Sequence, residues 1–220
     1  MSKRKIFDFL RDLRENNSKE WMDENRHQYH EAKDIWLEEA AVYLKRLAKY
    51  DPTIEKLSPK KTIMRINNNN MFHPDKPTYK DFFGFDPYKG RNRPAFYVHL
   101  SPSGSFLFGG LWRPDPDALK KIREAIDYDG EALMKIVEKK SFQDFFGGLE
   151  PDAEALKTSP QGYSSGHKYI DLLRRKNITV IRPLTQEEIV GADFVDTVEQ
   201  GFIEMAPFLT YLRQAVEFEE

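Results

Sequence analysis

The sequence contains no cysteine. That absence excludes disulfides, thiolate nucleophiles, and zinc or iron–sulfur sites built on cysteine, and it fits a reducing, cytoplasmic compartment. No run approaches the ~20 consecutive apolar residues of a membrane-crossing helix, so no membrane role is expected. The basic opening Lys3-Arg4-Lys5 starts as a secretory signal would, but Asp8, Arg11 and Asp12 interrupt it before an apolar stretch can form. A P-loop, a glycine-rich dinucleotide fingerprint and a kinase signature are missing, so no cofactor is specified. Internal repeats, low-complexity tracts and linkers are missing too, and a single domain over residues 1–220 is the simplest organisation.

What is present suits a packed core. Of 220 residues, 40% are hydrophobic and 32% charged, too apolar a mixture for a disordered chain. Sixteen Phe, ten Tyr and three Trp predict a core dominated by rings. The net charge of −2 conceals an uneven distribution. Residues 60–99 carry eight Lys/Arg against three Asp, while residues 184–220 carry nine acids against Arg213 alone. Either the basic segment attracts an anionic ligand, or the two segments face one another.

Periodicity predicts a helix over Arg4–Glu15, with Ile6, Phe9, Leu10 and Leu13 on one face. Asn17, with Glu20 three residues on, reads as the cap of a second helix running to Tyr50. Met22, Tyr29, Trp36, Tyr43 and Tyr50 recur every seventh residue along it, the stripe of a core face. Strands are predicted at 62–66 and 81–86. Residues 95–101 and 105–112 flank Pro102-Ser103-Gly104 and form an antiparallel hairpin. Gly109-Gly110 inside its second strand marks a bulge or a close backbone approach.

After Asp115-Pro116, a cap and first turn, Leu119, Ile122 and Ile126 predict a helix. Shorter helices are predicted at 131–139, 141–146 and 166–176, then a strand at 178–182. Thr185 and Glu188 form a capping box for a C-terminal helical region that Pro207 is expected to interrupt. The pattern is α+β: a long N-terminal helix packed on a mainly antiparallel sheet, with a helical C-terminal half.

The strongest candidate for function is Arg65 to Lys80. Four consecutive asparagines, residues 67–70, compete with helix and sheet for backbone hydrogen bonds, and Pro74 and Pro77 stiffen the chain beyond them. The expected product is an ordered loop presenting His73, Asp75, Lys76, Tyr79 and Lys80. Lys76 and Lys80 suit phosphate or carboxylate, with Asp75 orienting one of them. The predicted site for a small anionic ligand is therefore Arg65, Asn67, Asp75, Lys76, Tyr79 and Lys80, beside the hairpin, with Gly109 and Gly110 as a close-packed wall. Tyr79, or a lysine of depressed pKa, is the proton-transfer group if chemistry occurs. The bland alternative is a loop whose side chains serve only its own backbone.

Other motifs are weaker. Gly162-Tyr163-Ser164-Ser165-Gly166 has the letters of a hydrolase nucleophile elbow but no buried strand before it and no later histidine. Glu24, His27 and Glu31 share a helical face with His30 in reach, yet no second Glu-x-x-His accompanies them, and no metal site is expected. His99 and His167 are read as structural. Lys168, Arg174, Arg175, Lys176 and Arg182, with Phe96, Tyr97, Phe106 and Phe108, would permit stacking of single-stranded nucleic acid, but the overall pI of about 6.3 lacks a basic footprint.

Several phrases resemble one family throughout the chain: Asn16-Asn17-Ser18-Lys19-Glu20-Trp21 with Arg26 and Tyr29; Phe72, Asp75-Lys76 and Tyr79-Lys80; Tyr97 to Gly104 with Gly109-Gly110-Leu111-Trp112 and Pro114; and Pro160-Gln161-Gly162-Tyr163. On these the sequence is similar to the DUF2461 family of conserved hypothetical proteins. The resemblance implies no substrate and no enzyme class. Many members resemble Arg-x-x-Arg-Asp-x-Arg-Phe where this chain has Arg65 to Phe72, so two arginines and an aspartate are replaced by Asn68, Met71 and Asn69. That weakens an anion clamp built on those arginines. Three functions stay in view: a small-anion binder, an interaction module for an acidic protein or nucleic acid, and an enzyme of unrecognised type.

Overall fold

The computed structural model of the chain describes residues 2–71 and 74–218. It has the α+β architecture expected, with N-terminal helices, an antiparallel sheet and a helical C-terminal half.

Helix α1 (Arg4–Glu15) buries Ile6, Phe7, Phe9, Leu10 and Leu13. The expected second helix is in fact two, α2 (Lys19–Glu24) and α3 (Arg26–Leu47). Asn25 separates them: its backbone leaves helical geometry, and its side-chain amide donates to the Trp21 carbonyl at 2.9 Å. A short amide side chain offering the backbone a local partner is the physical reason for the break. The cap of α2 is Ser18, whose hydroxyl accepts the Trp21 N–H at 3.1 Å, and not Asn17. The seven-residue stripe holds at Met22, Trp36 and Tyr43, all buried, and ends at Tyr50, which is 48% exposed.

The strand expected at 62–66 is corrected. Pro59 starts a helical turn, α4 (Pro59–Thr62), and only Ile63 and Asn67 form isolated bridges. The sheet proper contains β1 (Phe83–Phe85), β2 (Ala95–Leu100), β3 (Ser105–Leu111) and β4 (Ile178–Leu184), hydrogen-bonded in that order. β1 pairs antiparallel with β2, Gly84 opposite His99.

Helix α5 (Pro116–Val137) starts on the predicted Asp115 cap and merges two predicted helices across Asp129, whose backbone is non-helical. The Asp129 carboxylate accepts the Ala132 N–H at 3.1 Å, as an N-cap would. α6 (Lys140–Phe146) ends at left-handed Gly147. The helix expected at 166–176 shrinks to α7 (Ile170–Leu173). α8 (Gln186–Val190) has the predicted capping box in full.

Pro207 does not interrupt the last helix, α9 (Phe194–Glu217). Its ring removes one helical donor, to the carbonyl of Ile203, a residue 36% exposed, while Met205, Phe208, Leu209 and Leu212 around it are buried and hold the helix by packing. No helix among the described residues is long and apolar enough to cross a membrane.

Two compact units divide the chain. The first comprises Met1–Pro87, Tyr97–Leu107 and Pro183–Gln200. Its core is a run of rings: Phe9 and Trp36 each stack on Phe83, at 6.3 and 6.4 Å, and Tyr43 meets Phe85 edge-on at 5.4 Å. The Trp36 indole N–H donates to the Gly84 carbonyl at 3.4 Å, fixing α3 across β1. Burying Phe83 and Phe85 fully contributes roughly 1.5–3 kcal/mol each.

The second unit comprises Tyr88–Phe96, Phe108–Arg182 and Gly201–Glu220. Phe96 and Phe142 pack on Phe202 and Phe208, at 5.1 and 6.0 Å. Asp152 organises a corner here, accepting the backbone N–H of Lys176 and Asn177, while the Asn177 side chain accepts the N–H of Arg113 at 2.8 Å. Arg113 is thereby held at a φ of 49°, a left-handed conformation few side chains adopt.

Candidate functional site

Residues 63–67 run antiparallel to 79–85, with bridges at Ile63–Phe85 and Asn67–Tyr79. Between them the Met64 N–H donates to the Gly84 carbonyl at 2.9 Å and the Lys80 N–H to the Ile66 carbonyl at 2.8 Å. The asparagine run explains how the loop holds its shape. The side-chain amides of Asn68 and Asn70 donate across it to the carbonyls of Pro77 and Lys76, at 2.8 and 3.0 Å. The expected ordered loop is therefore stapled by its own amides. His73, expected among the presented residues, and Phe72 lie outside the described residues.

The expected site residues divide by role. Tyr79 is buried, at 6% exposure, and its main chain is gripped on both sides by Asn17. The Lys80 ammonium donates to the carbonyls of Arg65 and Asn67, closing the base of the loop. Arg65, Asn67, Asp75 and Lys76 all lie at the surface. Among the described residues, Arg65, Asp75 and Lys76 have no ion-pair partner.

Burial lowers the Lys80 pKa below the usual lysine value, and repulsion from Arg65 and then Lys76 lowers it further. Three cations are thus gathered with no carboxylate paired to them among the described residues. Gly109 and Gly110 belong to the second unit, where they pack against Met205 and against the backbone of Ile178.

A second feature of the first unit carries more chemistry than its sequence announced. On the sheet face away from Phe83 and Phe85, His99 lies between Phe82 and Phe106, with ring centroids 4.5 and 4.4 Å away, the latter nearly parallel at 11°. Its Nδ1 is 3.3 Å from the Tyr97 hydroxyl. Burial pulls the imidazole down to about 4, against a smaller opposing pull from Asp81. Burial, with Asp86 nearby, pushes the Tyr97 phenol above its ordinary value. At neutral pH both groups are uncharged, and the direction of the hydrogen bond between them follows from which ring nitrogen carries the imidazole proton. An imidazole this acidic is a weak base but a sound hydrogen-bond donor. All four rings, Phe82, Tyr97, His99 and Phe106, are only partly covered.

The Tyr97 ring occupies the space over Gly84, where an added Cβ would lie 2.3 Å from its hydroxyl. Glycine at 84 is therefore a condition of this face. Alternation along 95–101 places Tyr97 and His99 together in sequence, and Gly84 opposite a strand was the signal that one of them needed room.

The remaining motifs have structural roles. His167 is committed on both sides, Nδ1 accepting the Tyr169 N–H and Nε2 meeting Asp127 at 2.9 Å. Ser164 accepts the N–H of Gly166 in a turn with no strand before it, so the segment is no nucleophile elbow. Among the described residues no group of three or more His, Asp or Glu side chains could hold a metal. The second basic group is spent locally: Lys168 pairs with Glu131, Arg174 with Asp171, Arg175 donates to the Asn177 and Glu150 carbonyls, and Arg182 lies over the Phe145 ring. A groove of about 610 Å³ in the second unit is lined by Glu131, Lys135, Lys168, Tyr169 and Asp171 among others, but its lysines already pair with Glu131. In the acidic tail, Glu199 pairs with Arg46 and Lys49, and Glu204 with Lys139.

Residues 5–211 match a protein family described as "Conserved hypothetical protein (DUF2461)". No curated protein and no solved structure matches the chain.

Proposed function

This chain belongs to the DUF2461 family, whose description carries no activity, and we propose that it binds a small anionic ligand at the 65–80 loop. One observation carries the reading: Lys80 is repelled by both Arg65 and Lys76, and none of the three has a carboxylate partner among the described residues. Gathered like charges raise the energy of a fold, and a bound anion relieves that energy. The amide staples of Asn68 and Asn70 support the reading further, because a loop ordered beforehand loses less entropy on binding.

The roles differ from the sequence expectation. Arg65 offers the planar fork that suits phosphate or carboxylate, and Lys76 a mobile point charge. Lys80 contributes its field while holding the loop closed, and the exposed Asn67 side chain adds a neutral donor. Tyr79 serves as the anchor of the loop.

The test is a thermal-shift and calorimetric titration with inorganic phosphate, pyrophosphate and citrate. A ligand at a hundred times its Kd raises stability by ~2.7 kcal/mol. At least one anion should raise the melting temperature of the native chain, and the Arg65→Ala, Lys76→Ala double variant should lose the shift while folding normally. No shift with any of them at millimolar concentration refutes the proposal.

A further inference from the structure

We propose that the chain carries, apart from the anion loop, a site for single-stranded nucleic acid at Trp112. A base stacks on the open face of the indole, and the neighbouring phosphates lie on Arg91, Arg93 and Arg113.

This corner lies within the second unit, and its geometry is imposed from two sides. Arg113 follows Trp112 in its left-handed conformation, and the Asn177 side chain that accepts the Arg113 N–H is itself fixed, its amide donating to Asp152 at 2.8 Å. Asn92, at a φ of 56°, is the other non-glycine residue with a positive φ among the described residues. It brackets Asp115, donating to the carboxylate at 2.6 Å and accepting the N–H at 3.0 Å. Such conformations persist where the surroundings over-determine them, and they gather at ligand clamps. The bracket holds residues 91–93 beside 112–115.

What the corner presents is a ring with its cations. Trp112 is 64% exposed and packs against no other ring among the described residues, while the Arg113 guanidinium lies 5.0 Å from its centroid. With that much of the indole in water, the face away from Arg113 is open to a ligand. Glu154 orients Arg113, accepting from its Nε at 3.0 Å. Arg91 stands 3.6 Å from the Asp115 carboxylate with its side chain 84% exposed. Arg93 is exposed and lies across Gly90, where a Cβ would be 2.7 Å from its Cδ. Lys89 adds further exposed positive charge. Both acids of the corner are already engaged, Glu154 by Arg113 and Asp115 by Asn92 and the Ala118 N–H that it caps.

These residue types select the ligand class. An indole with a free face accepts any base, because every base has a π-face, and cations beside it follow the backbone of the strand. Arginines dominate the cations, and their planar fork matches phosphate. The overall pI of about 6.3 averages this corner with the acidic stretch at 184–220 and does not describe the local field. Tyr128 is more exposed still, at 94%, but Asp127 and Asp129 flank it, and it offers no such site.

The experiment titrates the whole chain with a short oligothymidylate, an abasic deoxyribose-phosphate strand of equal length, and poly-glutamate. Calorimetry and tryptophan fluorescence supply the readouts. Oligothymidylate should quench the fluorescence and bind about 5- to 150-fold more tightly than the abasic strand, the range that stacking of one base supplies. Trp112→Leu should bring the two strands to equal affinity and remove the quench, since Trp36 is fully buried. Arg91→Gln with Arg93→Gln should flatten the slope of log affinity against log salt by about 1.4, at ~0.7 for each phosphate contact. Should Trp112→Leu unfold, the quench and the strand preference of the native chain still decide. The Arg65→Ala, Lys76→Ala double variant should bind oligothymidylate as the native chain does, which separates this corner from the 65–80 loop. Equal affinity of the two strands without a quench overturns the proposal, and so does loss of strand binding in that loop variant. Poly-glutamate binding as tightly as oligothymidylate overturns it in favour of an acidic protein segment. No binding of either strand at low salt overturns it outright.

Discussion

Asn17 grips Tyr79 from both sides of its peptide plane: its side-chain carbonyl accepts the Tyr79 N–H at 2.9 Å, and its amide donates to the Tyr79 carbonyl at 3.0 Å. Sixty-two residues separate the two in sequence. Because Tyr79 is buried, both bonds are partly shielded from water. Asn17→Ala should cost about 1–3 kcal/mol in urea unfolding, the range for leaving buried main-chain groups unpaired. A loss under ~0.5 kcal/mol, typical of surface changes, would mean the clamp adds nothing.

The loop lysines should separate cleanly. Lys80 donates to two carbonyls and is partly buried, so Lys80→Met should cost about 1–3 kcal/mol. Lys76 is exposed, and Lys76→Ala should stay within ~0.5 kcal/mol. Equal effects in chemical denaturation would contradict the division of roles drawn above.

His99 should make stability depend on pH in a defined window. Its folded pKa lies near 4, against ~6.5 in the unfolded chain. Between those values the unfolded chain binds the extra proton, so the contribution is complete above pH ~6.5 and is lost as pH falls through about 4. Native protein should lose about 2–3 kcal/mol more between pH 7 and 4 than His99→Phe, which keeps a ring without a titrating group. Parallel stability curves for the two would show that the imidazole titrates alike in both states.

The paired glycines of β3 should behave differently. At Gly110, with φ of 109°, a Cβ would lie 2.1 Å from the Ile178 carbonyl oxygen, which is backbone and cannot step aside. At Gly109 it would meet the sulfur of Met205, the flexible end of an adaptable side chain. Gly110→Ala should therefore cost more than ~3 kcal/mol or abolish folding, and Gly109→Ala about 1–3 kcal/mol. The reverse order, read from melting temperatures, would refute the assignment.

Where local chemistry decided the fold, the sequence was informative. The hairpin around Pro102 to Gly104, the Asp115 cap, the Thr185–Glu188 box and the stripe through Met22, Trp36 and Tyr43 all needed only neighbours a few residues away. Where two local signals competed, or tertiary packing overruled one, it was not. Asn25 carries no mark distinguishing a helix break from a polar surface position, and only its bond to Trp21 reveals it. Pro207 obeys packing in place of propensity. Of the candidate site, the polar loop and its cations were legible as residue types. That Tyr79 would be drawn into holding the loop depends on Asn17, far away in the chain, and the part of Lys80 depends on the carbonyls of Arg65 and Asn67 across the loop. The His99 face was hidden for the same reason: Phe82, Gly84, Tyr97 and Phe106 come together only once the strands pair.

The staples that Asn68 and Asn70 lay across the loop separate its base from its tip. Residues added or removed between Asn70 and Lys76 lie beyond the last staple, and each doubling of a flexible loop's length adds only ~0.6 kcal/mol of closure entropy. The tip can therefore change length over evolution, or accept a grafted peptide, while Arg65 and Lys80 keep their register. A shift of one residue between 63 and 67 has no such buffer and would rearrange the bridges to Phe85 and Tyr79 together. Length variation among related chains should accordingly gather at the tip and avoid the base.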